Sequence, residues 1–147
     1  MSLDVYLEVE ESLLKMPTIP IRENGQMREI SRDEWAWRFP DREPIETPLQ
    51  ETHTVYTANI THNLSRMADE AGLYQYLWRP DEVGIEKAKE LIEPLRHGLT
   101  ELRSKPEHYK QFNPSNGWGS YQLLVRFTIR YLRACEQYPN ATVRVWR

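Results

Sequence analysis

Two short stretches hold the residues best suited to chemistry. Asn59-Ile60-Thr61-His62-Asn63 brings two amides, a hydroxyl and an imidazole within five residues. Amides and hydroxyls read the polar edge of a ligand by hydrogen bonding, and a histidine can also move a proton near neutral pH. Phe112-Asn113-Pro114-Ser115-Asn116-Gly117-Trp118-Gly119-Ser120-Tyr121 adds Asn113 and Asn116 beside Trp118, a large ring set between two of the chain's six glycines. A tryptophan there either fills the core beneath the loop, which the pattern favours, or stacks on a planar ligand whose edge the two asparagines read. Trp78-Arg79, just before Pro80, supplies a second aromatic and a cation.

Each polar residue also has a backbone task open to it. Asn59 and Thr61 are types that cap helices, and Asn116-Gly117 offers the positive φ a turn needs. The four histidines, His53, His62, His97 and His108, show no HxH, HxxxH or HExxH spacing, and there is one cysteine, Cys135. The sequence therefore predicts no metal site, no disulfide and no cofactor. GxSxG, GxxxxGK(S/T) and GxGxxG are all missing, which removes the usual elbows and phosphate cradles.

The elements that must position these residues follow from periodicity. Leu3, Val5 and Leu7 alternate with Asp4, Tyr6 and Glu8, as in a half-buried strand. Asn24-Gly25 predicts a type I′ hairpin. Ser31 and Glu34 read as a reciprocal capping box opening a short helix through Trp35 and Trp37, ending before Pro40. Residues 39–52 read as a proline-rich surface connection. "THTVYTANI" reads as a strand ending near Ile60, followed by a helix that Gly72 interrupts. Ile85 to Leu102 carries a 3.6-residue apolar stripe, with Pro94 predicting a kink or a junction near Glu93. Ser120 to Gln137 is the strongest helix, and "ATVRVWR" returns to strand alternation. The expected fold is a single α+β domain over 1–147, with about five short strands, both termini among them, on four to five helices.

On the last helix Arg130 and Arg133 fall within about 40° of Arg126. The rest of that helix is apolar nearly all round, predicting a central helix with one open seam. Residues 113–147 hold five arginines against a single acid, Glu136, while 1–52 is acidic. Internal pairing of the two regions is the expectation, with an anionic partner as the alternative. At a net charge of −3 the chain lacks the basic face of a general nucleic-acid binder. With neither a membrane-length apolar run nor a signal-type N-terminus, the expected location is the cytoplasm.

"MSLDVYL", "SRDEW…RFPDREP", "NITHNL…MADEAGLYQYLWRP", "LIEPLRHGL" and "FNPSNGWGSY" together resemble a family of small bacterial and tailed-phage proteins. The resemblance spans nearly the whole chain and implies one intact domain and an accessory role, such as binding a host protein or a small signalling molecule. It implies no activity and no catalytic residues.

Together these readings favour a non-enzymatic binding protein that holds a small anionic or planar ligand, or a protein partner, with Asn59, Thr61, His62, Asn63, Trp78, Arg79, Asn113, Asn116 and Trp118 as the site. One alternative is a hydrolase or transferase with His62 as general base. Another is a homodimer or larger assembly joined through exposed aromatics such as Trp35, Trp37 and Trp146.

Overall fold

A computed structural model describes the backbone at residues 1–13, 18–44 and 49–147, and the side chains at 1–10, 18–44 and 52–147. The fold is α+β, with both termini in strands. It forms two compact units, Met1–Val9 with Thr52–Arg147, and Glu10–Glu51.

The smaller unit is built on a hairpin. Strands β2 (Thr18–Glu23) and β3 (Gln26–Ser31) pair antiparallel with Glu23 opposite Gln26. Asn24 and Gly25 make the turn at φ 53° and 77°, the two positive values a type I′ turn demands. Helix α1 (Arg32–Arg38) follows, and the Ser31 Oγ accepts from the Glu34 N–H at 3.1 Å. The expected reciprocal half of that box is replaced by an ion pair, because the Glu34 carboxylate faces Arg38 at 3.5 Å. Residues 45–48 of the proline-rich connection lie outside the described residues. Strand β4 (Leu49–Thr61) is already under way at Leu49, inside the expected connection.

In the larger unit β1 (Ser2–Leu13) lies between β4 and β5 (Thr142–Trp146). β1 and β5 pair antiparallel, with Val5 opposite Val145 and Tyr6 opposite Arg144. Leu3, Val5 and Leu7 are fully buried, as their alternation requires. They join a core with Leu64, Met67, Leu77, Leu91, Leu95, Leu102 and Tyr131.

A 3-10 turn at His62–Leu64 leads from β4 into α2 (Ser65–Glu70), and Gly72 (φ 76°) breaks the chain before α3 (Tyr74–Trp78). Of the kink or junction expected near Glu93, the structure has the junction. A 3-10 turn (Ala88–Leu91) runs into α4 (Ile92–Ser104), whose first turn contains the proline, where its missing N–H costs nothing. Then come α5 (Pro106–Lys110) and α6 (Tyr121–Gln137), the latter capped by Ser120 Oγ accepting from Leu123 N–H at 3.2 Å.

α6 is not the central helix its composition predicts. Leu124, Phe127, Tyr131 and Cys135 are buried as expected, but Gln122, Leu123, Arg126, Arg130, Arg133 and Glu136 are exposed, and Val125 and Ile129 are only half-buried. The helix packs on one side and leaves a broad face to solvent. No helix among the described residues is long and apolar enough to cross a membrane.

Candidate functional site

Residues from both singled-out stretches meet at one groove. Its volume is about 610 Å³, and Met1, Ser2, Asn59, Thr61, His62, Asn63, Asn116 and Trp118 line it. The end of β4, the 3-10 turn and the loop before α6 converge there.

The loop is fastened from both sides of Trp118. Asn116 Oδ1 accepts from the Trp118 N–H at 3.0 Å, and Asn63 Nδ2 donates to the Trp118 carbonyl at 3.3 Å. Gly119 lies so close to the 3-10 turn that a Cβ there would sit 2.8 Å from Thr61 Cγ2 and 3.0 Å from Leu64 Cγ, and its φ of 108° suits glycine. The point that seats the loop on the core is thus Gly119. Trp118 itself is 72% exposed, which overturns the expectation of a core plug. Its backbone is fixed and its ring faces solvent.

Asn59 does not cap a helix, contrary to its expected role. It points across the sheet, donating from Nδ2 to Ser2 Oγ at 2.7 Å and to Asp4 Oδ1 at 2.6 Å. Thr61 does cap, accepting from the Asn63 N–H at 3.3 Å. His62 is held by a buried tryptophan, whose indole N–H donates to His62 Nδ1 at 2.8 Å. An indole nitrogen can only donate, so the ring in this arrangement is neutral and carries its proton on Nε2. His62 therefore offers a hydrogen-bond donor, where a general base would need a bare nitrogen.

Three of the nine expected residues stand apart from the groove lining. Trp78 is 3% exposed and lies behind His62, stacked on Tyr74 at 5.5 Å. Arg79 is held by Tyr74 OH at 3.3 Å and by Glu82 at 3.2 Å. Asn113 accepts the Tyr121 N–H at 2.8 Å, bracing the start of α6. Ser2 and Met1 were not foreseen. Strand alternation puts Ser2 and Asp4 on one face of β1, but no local signal says which strand that face's neighbours come from.

The polar atoms left without a partner among the described residues form a readable set. Asn59 Oδ1 and Asn63 Oδ1 remain as acceptors, and Asn116 Nδ2, the Thr61 hydroxyl and His62 Nε2–H remain as donors. No Lys, Arg, Asp or Glu lines the groove. Among the described residues no group of three or more His, Cys, Asp or Glu comes together to hold a metal ion.

No family model, no curated protein and no solved structure matches this chain.

Proposed function

We propose that the larger unit is a binding module for a small, neutral, planar molecule with a polar edge. The observation that carries this reading is Trp118, whose ring is exposed while hydrogen bonds fix its backbone on both sides. A ring held this way can stack on a planar ligand with little further ordering. Around it stand unpaired amide, hydroxyl and imidazole groups of both hydrogen-bonding senses, as a heteroaromatic edge requires. None of the side chains lining the groove belongs to Lys, Arg, Asp or Glu, which favours a neutral ligand over the anionic one also considered. The proton on His62 Nε2 favours recognition over proton abstraction.

The test is native mass spectrometry of protein taken from cells, with tryptophan fluorescence titrations using adenosine and riboflavin as planar probes. A mass excess that denaturation removes, or probe quenching, should be present in the parent protein and absent from Trp118→Ala. A folded Trp118→Ala variant that keeps the same excess and the same quenching would sink the assignment.

A further inference from the structure

A second groove shares Asn59 with the first and follows strand β4. In the three-stranded sheet β4 and β5 are the outermost strands. The edge of β5 is partly occupied, since Val143 N–H donates to the Glu86 carbonyl at 2.9 Å and Lys87 bridges to Thr142. Among the described residues Tyr56–Asn59 makes no backbone hydrogen bond outside its own sheet. An open strand edge is a row of unpaired N–H and C=O groups, a template for another strand.

A groove of about 280 Å³ follows this edge, lined by Tyr56, Thr57, Ala58 and Asn59 on one side and by Leu123, Arg126, Phe127 and Arg130 of α6 on the other. Four consecutive strand residues line it. A sheet face would present only alternate ones, so the groove runs along the edge. Arg126, Arg130 and Arg133 are exposed, and no carboxylate pairs with any of them among the described residues. Arg96, Arg144 and Arg147, by contrast, each face an acid. The internal pairing expected for the arginine-rich end of the chain is met by Arg144 with Glu8 and not by this row.

We propose that the β4 edge and the α6 arginine row form a docking groove for an extended acidic segment of a partner protein, which adds to the sheet as a fourth strand. The two spacings match. Arg126 and Arg130 are separated by about 6 Å along the helix, and alternate residues of a strand by about 6.6 Å. Glutamates two positions apart on an added strand can therefore meet Arg126 and Arg130, the two arginines that line the groove, while its backbone pairs with β4. A second copy of this chain fits less well, because Tyr56–Asn59 has no acidic residue to offer the facing arginines. Nucleic acid fits less well too, since the row is short and the chain carries net negative charge.

The test uses the whole chain and a short labelled peptide alternating Glu and Thr, read by fluorescence anisotropy. Binding is expected, weakened about tenfold or more by Arg126→Glu or Arg130→Glu, and by Gln in place of Glu in the peptide. Arg103→Glu, an exposed change on α4, should leave it unaltered. N-methylation of alternate peptide nitrogens should abolish binding, because it removes the ladder and spares the charges. No binding would overturn the proposal. Undiminished binding of the N-methylated peptide would reduce the site to a charged surface and overturn it equally. Stronger binding of a single-stranded oligonucleotide would reassign the row to phosphates. A dimer in sedimentation that the peptide dissolves would reassign the edge to a second copy.

Discussion

Several buried polar atoms decide what individual residues contribute. The indole N–H of Trp78 is satisfied by His62, so His62→Phe would strand a buried donor and should cost about 1–3 kcal/mol in denaturant unfolding. Tyr131 presents the opposite case. Its ring is fully buried and stacks on Tyr56 at 5.8 Å, yet neither hydroxyl has a hydrogen-bond partner among the described residues. Removing an unsatisfied hydroxyl costs nothing in bonding, so Tyr131→Phe should be neutral or stabilising by up to about 1 kcal/mol. A loss larger than that would mean that the hydroxyl has a partner after all. The contrast separates a polar group that holds the site from one the core merely tolerates.

At the scale of elements, two glycines set how closely segments approach. Ala normally improves a helix over Gly by about 1 kcal/mol. Gly98 lies inside α4, and a Cβ there would run into the Leu73 side chain. Gly98→Ala should therefore destabilise, by about 1–3 kcal/mol, the reverse of its intrinsic propensity. Its effect on the groove should be small, because Leu73 belongs to the core and not to the lining. Gly119→Ala should act on both. It adds a side chain against Thr61 and Leu64 at a positive φ, lowering stability and pushing the Trp118 loop off the turn that carries His62. Thermal unfolding together with the probe titrations of both variants would separate the two roles.

For the molecule as a whole, burial sets the alkaline limit. Desolvation, helped by the Glu101 hydrogen bond, pushes Tyr109 up to about 12, and burial does the same for Cys135. Burial also holds Tyr131 well above its ordinary value of 10. Such groups keep their protons in the fold after the unfolded chain has lost them. Their contribution is complete below the ordinary values of 9 for the thiol and 10 for the phenols, and it is lost as pH rises toward the folded values. Carboxylates act at the other end. Arg147 holds Asp81 below its usual value, the Lys87 and Glu86 N–H groups do so for Glu90, and Lys105 and Tyr109 do so for Glu101. Their contribution is lost as pH falls below the ordinary 3.8 to 4.5. Unfolding midpoints should form a plateau between about pH 5 and 9, falling on both sides. Thiol labelling of Cys135 should follow the alkaline fall, since the folded thiol is fully buried.

What the sequence determined was local. Ser31 and Thr61 cap where their types predict, Asn24-Gly25 turns the hairpin, and alternation buries Leu3, Val5 and Leu7, because each depends on neighbours a few residues away. Six of the expected site residues share one groove for a related reason: polar residues at strand and helix ends remain near solvent. Only the tertiary structure decided the rest. Asn59 looks like a cap until β1 places Ser2 and Asp4 beside it, and Trp118 looks like a plug until Gly119 takes the close contact. The apolar residues of α6 predict a central helix open only along its arginine seam, yet the open face also takes in Gln122, Leu123 and Glu136. Pairing and burial depend on which distant segment arrives, and no local pattern encodes that arrival.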